Sequence, residues 1–572
     1  MIVAILPLGE TPADEYDTVV VGAGPVGLAF ALEAADAGAQ VLLVDAGDLQ
    51  SGKRNVVSRA STRTEILDPA RHAPLELTTR RGIGGTSWLW GGRCVPFEPI
   101  DFEPRDFVPG GAWPIRHADV EPWYRQTALH LDCGAAVFRA DRPDWAGLKE
   151  FRMSNLERWA RRPKLAPRLG QRALVHPRIA VLMSSSLQRI EFASDGSVAS
   201  LIVDRAGVAT ALRARSYVLA MGGLEVTRFL LAVQRERPAT FGGAGGPLGR
   251  YYMGHATGSI ADIVLDDPAR AADLDFVRDE SGTYVRRRFT LSEEAQRRHR
   301  VLNTSFYLDN PPFYEHEHRN ATLSLVFLGL VIPPVGRRIL AEGIRLRHVG
   351  LRPYRIAAHI GNVLRRPWRA AADVADILAR RYVSAVRKPG FVLRNEGGRY
   401  ALHYHAEQLP NPDSRLTLRM EADGASVLEV DFRYLEDDID SLLRCHDLLD
   451  QELRTAGVGH LEYLAASPAA VRAMAWEQAT DGFHSIGTTR MSADPAAGVV
   501  DRDCRVHGTS NLYIASSSVF PTSGEANPTF LAAALAVRLA HHLMKRSAAE
   551  PSGAPARRPT SGARAPDAKG QT

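Results

Sequence analysis

The segment YDTVVVGAGPVGLAFALEAADAGAQVLLVDAG, residues 16–47, constrains the fold more than any other stretch of the sequence. It contains, in order, an apolar strand, the glycine pattern GxGxxG, an alanine-rich helix, a second apolar strand and an acidic residue. Two strands joined by one helix form a βαβ unit, whose strands lie parallel. The segment therefore predicts an α/β fold with a parallel sheet.

The glycines of this pattern have separate mechanical roles. Gly22 allows the tight turn after the strand, Gly24 lets the backbone approach a pyrophosphate, and Gly27 lets helix and strand pack closely. The helix N-terminus offers free N–H groups to phosphate, and Asp45 ends the second strand where it can accept hydrogen bonds from ribose hydroxyls. The complete series predicts a dinucleotide site but does not distinguish FAD from NAD.

Two further glycine-rich segments extend the predicted site. In RRGIGGTSWLWGGRC, residues 80–94, five glycines fall within eleven residues outside any helical or strand pattern. They indicate backbone lying against something flat, and a glycine-rich turn with core tryptophans is the alternative interpretation. In YVLAMGGLEVTRFLLAV, residues 217–233, an apolar strand leads through two glycines into a helix. Such a junction closes a dinucleotide domain from a distant part of the chain.

Composition limits the function classes. With 572 residues, 45% of them hydrophobic and 24% charged, the chain is long enough for two domains, since one core stops growing at roughly 250 to 300 residues. The net charge of +5 is small and the Arg residues are interspersed with 65 acidic ones, so we expect no nucleic-acid binding. The four cysteines lie far apart without CxxC spacing, which argues against a zinc site and a disulfide scaffold.

No export or membrane signal is recognisable. The opening MIVAILPLGETPADEYD has no basic region and no cleavage site, and no apolar run approaches the roughly 18 residues of a membrane span, so we expect a cytoplasmic protein. Residues 547–572 are rich in Pro, Ala, Gly and Ser without apolar periodicity and are predicted to form a disordered tail.

Six segments in their order and approximate spacing resemble the glucose-methanol-choline (GMC) family of flavin oxidoreductases. They are GAGPVG with Asp45, GIGGTSWLWGG, VLAMGGLEVTRFLL, LGRYYMGH at 248–255, EQLPNPDSRLTL at 407–418, and GFHSIGTTRM through ANPT at 482–529. Other flavoprotein classes would share only the first motif, and no CxxxxC redox pair supports them. The last segment is similar to the pyranose-oxidase and gluconate-dehydrogenase branch, whose catalytic pair is His and Asn.

The resemblance implies an α/β fold in which a discontinuous, Rossmann-like FAD-binding domain is joined to a substrate domain with a mostly antiparallel sheet and helices. We expect residues 14–94, 175–258 and 478–546 to form the FAD-binding domain. Residues 95–174 and 259–477 are expected to form the substrate-binding part.

The resemblance also implies which residues bind FAD. They lie in the glycine-rich turns, at the end of the second strand and around the last helix N-terminus: Gly22, Gly24, Pro25, Gly27, Asp45, Gly84, Gly85, Thr86, Ser87, Trp90, Gly91, Gly92, Gly222, Glu225, Ser517, Asn527, Pro528 and Thr529. Pyranose oxidases tether their flavin through a histidine in the segment that corresponds to GGTSWLWGG. No histidine occurs between His72 and His117 here, so we expect non-covalent FAD.

The resemblance assigns the catalytic pair to His484 and Asn527. Oxidation of an alcohol requires loss of the hydroxyl proton and transfer of a hydride to flavin N5. A histidine is neutral at working pH and can accept the proton, while an asparagine amide can contact the alcohol oxygen without adding charge. Pro528 biases Asn527 towards extended backbone. A core histidine bonded to a backbone carbonyl is the alternative interpretation of His484.

The expected activity is oxidation of a CH–OH group of a sugar or glycoside. The partners would be a small polyol or sugar substrate and an electron acceptor, either O2, a quinone or a redox protein. Three alternatives stay open: a sterol or aliphatic alcohol as substrate, lyase or isomerase chemistry with a retained flavin, and a nucleotide-binding subunit without activity. No metal is expected at the site.

The middle of the chain carries a basic stretch. Apolar runs at Val301–Tyr307, Thr322–Leu330 and Arg415–Arg419 predict an antiparallel sheet that covers the flavin. Residues 331–390 contain 13 Lys or Arg against three acidic residues, with apolar residues at rough helical spacing. This pattern is typical of a solvated helical insertion, and a docking surface for a membrane, an acidic substrate or a redox partner is the sharper hypothesis.

Overall fold

The computed structural model describes residues 6, 16–49, 63–339, 348–350, 352–395, 397–422 and 424–549. Most of the opening stretch and the expected tail from residue 550 onward lie outside the described residues. Residues 547–549, assigned to the tail from the sequence, instead continue the last helix.

The strands of the described chain are numbered in chain order. They are β1 (Tyr16–Val21), β2 (Val41–Val44), β3 (Arg63–Ile66), β4 (Arg93–Cys94), β5 (Phe151–Arg152), β6 (Leu156–Trp159), β7 (Ile179–Leu182), β8 (Ser185–Phe192), β9 (Val198–Arg205), β10 (Val208–Leu212), β11 (Ala214–Leu219), β12 (His255–Leu265), β13 (Val277–Arg278), β14 (Tyr284–Arg287), β15 (Phe289–Leu291), β16 (Thr304–Asp309), β17 (Arg399–Glu407), β18 (Arg415–Met420), β19 (Ser426–Asp431), β20 (Gly459–Tyr463) and β21 (Leu512–Ile514).

The α-helices of the described chain are numbered in the same way. They are α1 (Pro25–Asp36), α2 (Leu75–Thr78), α3 (Tyr124–Leu131), α4 (Gln171–Val175), α5 (Gly223–Glu236), α6 (Glu293–His299), α7 (Ala321–Val331), α8 (Pro333–Ile339), α9 (Ile356–Arg365), α10 (Pro367–Leu378), α11 (Glu436–Thr455), α12 (Pro468–Gln478) and α13 (Thr529–Ala549).

A five-stranded parallel sheet forms the first core. Its order is β21-β11-β1-β2-β7, and every neighbouring pair is parallel. The valines and leucines of β1 and β2 are buried, as expected for strands covered on both faces. Because the strands come from residues 16–44, 179–219 and 512–514, distant parts of the chain meet in one sheet. The exact domain boundaries stay predictions.

Helix α1 is held between this sheet and α13 by apolar packing and by one buried carboxylate. Ten of its twelve residues are buried. Glu33 accepts hydrogen bonds from His130 Nε2 on α3 at 2.7 Å and from His541 Nε2 on α13 at 2.8 Å. Burial alone would raise the pKa of Glu33, but these hydrogen bonds lower it to about 2. The Glu33 carboxylate therefore links α1, α3 and α13.

A second core surrounds a six-stranded sheet of order β20-β12-β17-β16-β15-β5 with antiparallel pairing throughout. The predicted strand at Val301–Tyr307 corresponds to β16, which begins at Thr304. The predicted strand at Arg415–Arg419 is β18, but it belongs to a separate sheet, β18-β19-β3. The predicted α/β fold with a mostly antiparallel second sheet is confirmed.

The prediction of a strand at Thr322–Leu330 is wrong, because these residues lie in helix α7. The side chain of Asn320 caps the helix by accepting a hydrogen bond from the Leu323 backbone N–H at 3.0 Å. A continuous apolar run shows neither the periodicity of an amphipathic helix nor the alternation of a strand, so it fits a buried helix as well as a strand. Here the cap and the packing of α7 against α9 and α10 decide for the helix.

The described part of the basic stretch is mainly helical. It comprises α8, α9, α10 and a final turn at Ala379–Val383. Thr322 Oγ1 donates to Asp373 at 2.7 Å and so links α7 to α10. Among the helices that the structure describes, none is both long and apolar enough to cross a bilayer.

Candidate active site

A cavity of about 550 Å³ lies where the parallel sheet meets the glycine-rich segments. Twelve of the residues predicted to form the site line it: Gly22, Gly24, Pro25, Asp45, Gly85, Thr86, Gly222, Glu225, His484, Ser517, Pro528 and Thr529. Seven do not line it: Gly27, Gly84, Ser87, Trp90, Gly91, Gly92 and Asn527. The segments therefore converge on the cavity, while the other seven predicted residues lie outside its lining.

Two glycines of the first turn differ in what surrounds them. A Cβ on Gly27 would lie 1.9 Å from the Gly22 carbonyl oxygen, so this position has no room for a side chain. A Cβ on Gly24 would meet nothing within 4 Å. Gly27 thus serves the contact between helix and turn, whereas Gly24 leaves the backbone open towards the cavity.

Helix α1 presents its N-terminus to the cavity without a protein cap. Gly24 supplies no side-chain hydrogen bond, and Pro25 occupies the first turn. The first N–H groups of a helix have no partner within the helix and carry a partial positive charge. Pro25 and Val26 line the cavity, so a phosphate there would meet this end of the helix.

Asp45 holds the turns together. Its Oδ2 accepts from the Ala23 N–H at 2.8 Å, and its Oδ1 accepts from the N–H groups of Gly47 and Gly82, both at 2.7 Å. Burial raises the pKa of Asp45, and the three backbone hydrogen bonds oppose that rise. The predicted contact of Asp45 with a ribose stays a prediction. The visible role of its carboxylate is to join the first glycine turn to the second.

The second glycine segment packs directly on the first. The Gly84 N–H donates to the Ala23 carbonyl at 2.8 Å, and a Cβ on Gly85 would lie 2.8 Å from Gly24 Cα. Ser87 Oγ donates to the Gly84 carbonyl at 2.6 Å, and the Trp90 indole N–H donates to the Pro163 carbonyl. These two side chains therefore stabilise the segment.

His484 and Asn527 meet, as the sequence predicts. Asn527 Nδ2 donates to His484 Nε2 at 3.0 Å. On the other side of the ring, His484 Nδ1 donates to Asp481 Oδ2 at 2.9 Å. These two bonds fix the tautomer with hydrogen on Nδ1 and a lone pair on Nε2. His484 can therefore accept a proton at Nε2.

Asp481 is buried and accepts several hydrogen bonds. It also accepts from the backbone N–H groups of His255 at 2.7 Å and Phe483 at 2.8 Å. Burial alone would raise the pKa of Asp481, but His484 and His255 lower it well below its usual value. The group is therefore a carboxylate that cannot turn away from the imidazole.

Two further histidines complete a cluster around His484. His255 Nδ1 lies 3.1 Å from His484 Nδ1, and the His405 ring centroid lies 4.4 Å from that of His255. Burial lowers the pKa of His255, and burial together with His255 and Arg93 lowers the pKa of His405 well below its usual value. Both imidazoles are therefore neutral at neutral pH and add no competing charge.

The spacing of this cluster is also that of a metal site. One nitrogen of each of His255, His405 and His484 lies within 4.8 Å of the others. Hydrogen bonds, however, already occupy both ring nitrogens of His484, and His405 Nδ1 donates to the Glu525 carbonyl. The hydrogen-bond network accounts for the arrangement without an ion.

Charged residues lie directly behind the cluster. Arg288 forms a buried ion pair with Glu525, two residues before Asn527. Among the described residues, four buried polar atoms here have no hydrogen-bond partner: His255 Nε2, Arg288 Nε, Glu525 Oε1 and Asn527 Oδ1. Unpaired buried polar atoms are rare, and a polar ligand would satisfy them.

Sequence reasoning missed Asp481, His255 and His405. Asp481 stands three residues before His484, so an acidic residue close to the predicted base was an available signal. His255 and His405 are brought together by the antiparallel pairing of β12 with β17, in which Thr257 is opposite His405. No local sequence pattern predicts that pairing of strands.

Two family models match the chain. The model described as GMC oxidoreductase matches residues 410–536, and the model described as FAD binding domain matches residues 17–64. The first range contains His484 and Asn527, and the second contains the GxGxxG turn and Asp45.

Three curated relatives are similar to parts or all of the chain. Paromamine 6'-oxidase of Streptomyces fradiae is 34% identical over 133 residues, which are 23% of this chain and 23% of that enzyme. C-glycoside 3-oxidase of Microbacterium trichothecenolyticum is 44% identical over 62 residues, 11% of this chain and 12% of that enzyme. The chain thus matches less than a quarter of the length of these two oxidases. 2-Methyl-1,2-propanediol dehydrogenase of Mycolicibacterium austroafricanum is 21% identical over 94% of this chain and 96% of that enzyme.

Solved structures share the fold. A fungal aryl-alcohol oxidase aligns with a TM-score of 0.52 and 13% identity, covering 94% of this chain and 100% of that one. A formate oxidase aligns with a TM-score of 0.50 and 16% identity, covering 94% and 99%. At this identity the likeness concerns the architecture alone.

Proposed function

The chain belongs to the GMC oxidoreductases, FAD-dependent enzymes that act on alcohol groups, and from that premise we propose that it oxidises a CH–OH group of a sugar or glycoside. One observation carries the proposal. The imidazole that lines the cavity has its Nε2 lone pair fixed by Asp481 on one side and Asn527 on the other. An alcohol needs such a base to lose its hydroxyl proton.

The cavity fits FAD. The open position at Gly24 and the uncapped N-terminus of α1 suit a pyrophosphate, and Gly222, with φ of +80°, likewise has nothing within 4 Å of an added Cβ. Thr529 begins helix α13, whose N-terminal end also borders the cavity and would favour a negative charge on the cofactor. When bound, FAD supplies the acceptor for the hydride that leaves the carbinol carbon.

We propose that the cofactor is held without a covalent bond. Among the described residues that line the cavity there is no cysteine or tyrosine, and the one histidine is His484. Both ring nitrogens of His484 are engaged by Asp481 and Asn527. A covalent bond from FAD to a cysteine, tyrosine or histidine of the cavity would therefore have to be made by His484, the proposed catalytic base.

In the proposed mechanism, the substrate hydroxyl replaces the Asn527 amide at His484 Nε2, which then accepts the hydroxyl proton. The proton turns the ring into an imidazolium, and Asp481 stabilises that charge through the Nδ1–H bond. Asp481 is thus a positioning residue, because it sets the tautomer and orientation of the base. Asn527 is the second catalytic residue, since its uncharged amide can hold the alcohol oxygen beside Nε2.

The polar surroundings support a sugar or glycoside. His255, Glu525 and Asn527 do not line the cavity, but a polyol bound beside His484 could satisfy their unpaired atoms with its hydroxyl groups, whereas a sterol would leave them unpaired. The names of two relatives, a paromamine oxidase and a C-glycoside oxidase, favour the same class. O2, a quinone or a redox protein would then reoxidise the flavin.

A short aliphatic diol is the second candidate substrate. The relative whose match covers 94% of this chain bears the name of a propanediol dehydrogenase. A small diol also offers two hydroxyl groups, although it satisfies fewer polar atoms than a sugar does.

The test is an anaerobic substrate panel with the FAD-loaded protein. Amino sugars, C- and O-glycosides, 1,2-diols and sterols are added separately, and the visible absorbance of the oxidised flavin is followed. We expect glycosides to bleach the flavin fastest. Bleaching by diols alone would support the second candidate, and bleaching by sterols alone would refute the polar-substrate proposal. Turnover of a substrate without bleaching would indicate lyase or isomerase chemistry. Admitting air then separates an oxidase from a dehydrogenase.

A further inference from the structure

The described helices between residues 332 and 383 expose more large apolar side chains than their length would suggest. The described chain has twenty exposed large hydrophobic residues, and eight of them lie here: Ile332, Val335, Ile356, Ile360, Leu364, Trp368, Leu378 and Val383. Scattered exposed hydrophobics are normal, but a cluster marks an interaction site.

Helix α9 is oriented with its polar side inward. His359 and Asn362 are its buried residues, and both contact the Ser324 hydroxyl of α7, at 3.0 and 3.1 Å. Ile356, Ile360 and Leu364 stand four residues apart on the exposed face, and Leu364 is 70% exposed. Since residues four apart share one face of a helix, the three form a continuous outward stripe.

Helix α10 also has an exposed apolar face. Trp368 in its first turn is 86% exposed, and the exposed residues Ala371, Ala372, Ala375 and Leu378 follow it at helical spacing. Val383, in the turn after the helix, is 83% exposed. We call Ile356, Ile360, Leu364, Trp368, Leu378 and Val383 the apolar stripe.

The stripe lies in the most basic part of the chain. Residues 331–390 contain 13 of the 70 Lys and Arg but only three of the 65 Asp and Glu. The rest of the chain therefore has 57 basic and 62 acidic residues and is slightly negative. The positive charge of the protein is concentrated in this one segment, where Arg355 and Arg365 flank α9 and are exposed.

We propose that the apolar stripe docks this enzyme onto the surface of an anionic lipid membrane. Short helices with Trp and Leu on one face and Arg beside them lie in the interface, with apolar tips among the acyl chains and cations at the headgroups. The long arginine stems reach the headgroups while their aliphatic parts stay beside the stripe. The protein rests on the membrane and does not span it.

The shape of the surface favours a lipid over a protein partner. Leu364, Trp368 and Val383 stand out from the surface, being 70%, 86% and 83% exposed, instead of lining a groove. Protein partners are usually anchored where such side chains fill a complementary pocket. A lipid surface needs no pocket, and an excess of ten positive charges over 60 residues matches its negative headgroups.

Co-sedimentation of the full-length, FAD-loaded protein with vesicles tests the proposal. We expect binding to vesicles of phosphatidylglycerol and phosphatidylcholine at low salt, weaker binding at high salt, and little binding to phosphatidylcholine alone. Arg355→Gln with Arg365→Gln should weaken vesicle affinity by about 30-fold. Leu364→Gln with Trp368→Gln should weaken it by about tenfold or more.

Matched controls separate the stripe from general charge and hydrophobicity. Arg125→Gln with Arg235→Gln removes the same charge from exposed positions elsewhere, and Val208→Gln removes a residue that is 64% exposed on β10. These variants should bind as the unchanged protein does. Lack of vesicle binding at low salt overturns the proposal. It is also overturned if Leu364→Gln with Trp368→Gln dissolves a dimer without changing vesicle binding, since the stripe would then face a second copy.

Discussion

Helices α1 and α9 have similar lengths, but α1 turns its apolar side chains into the protein, whereas α9 turns its large apolar side chains outward. Ten of the twelve residues of α1 are buried, and they are nearly all apolar. In α9 the buried residues are His359 and Asn362, while Ile356, Ile360 and Leu364 face outward. Apolar spacing in a sequence therefore identifies a face, and the neighbours decide whether that face turns towards the protein or away from it.

The two helices differ because their neighbours offer different partners. Helix α1 lies against the apolar strands β1 and β2 and the apolar helix α13. Helix α9 meets the hydroxyl of Ser324 and the backbone carbonyls of Tyr314 and His316, which hydrogen-bond to its polar side chains. The first region thus owes its stability to packing around the cofactor cavity, whereas the second is attached by hydrogen bonds and leaves its apolar stripe for another contact.

The same substitution in the two helices should have effects of opposite sign on stability. In Gly27→Ala the new Cβ would lie 1.9 Å from the Gly22 oxygen, so the turn must open at a cost of about 3 kcal/mol or more. In Gly361→Ala the Cβ meets nothing within 4 Å, so α9 should gain about 0.5–1 kcal/mol from the better helix former.

The readouts are the urea midpoint of unfolding and the visible absorbance of bound FAD. Gly27→Ala should lower the midpoint and lose cofactor. Gly361→Ala should raise the midpoint slightly and keep its cofactor. A Gly27→Ala protein with unchanged midpoint and full FAD content would contradict the close packing of helix and turn.

A contrast in size, without a change of sign, is expected for large apolar residues. Phe30 on α1 is fully buried, so Phe30→Ala should cost about 3–5 kcal/mol through lost burial and a cavity. Leu364 on α9 is 70% exposed, and Leu364→Ala should change stability by less than about 0.5 kcal/mol. Urea unfolding in the absence of lipid measures both. A Leu364→Ala protein destabilised by several kcal/mol would show that the stripe packs within the protein.

Much of the first region could be predicted from sequence because its signals are local. The strand, GxGxxG turn, helix and second strand follow one another within 32 residues, and each element has its own residue pattern. Helix α7 could not be assigned in the same way. Its run TLSLVFLGL has no polar residues at helical spacing, so the periodicity does not distinguish a helix from a strand. The local signal for a helix was the capping residue Asn320.

His484 and Asn527 were predicted to form the catalytic pair through a resemblance to known enzymes. The structure brings them within a hydrogen bond of each other, and their catalytic role stays a prediction. Which atoms hold the imidazole depends on tertiary contacts that sequence spacing does not contain. His255 lies beside His484 although 229 residues separate them, next to the bridge that pairs Met253 with Ile486. The turn that places Asp481 under His484 has no distinctive motif.

The most direct test of the account measures flavin reduction by a glycoside substrate in anaerobic stopped-flow, with proteins of equal FAD content. His484→Ala should slow the reduction by roughly 10²–10⁴-fold, as expected for loss of a general base. Asp481→Asn should slow it by roughly 10²-fold, because the imidazolium loses its anionic partner. His460→Ala, outside the site, should match the unchanged protein. Reduction at an unchanged rate in His484→Ala would contradict the central claim that this imidazole accepts the substrate proton.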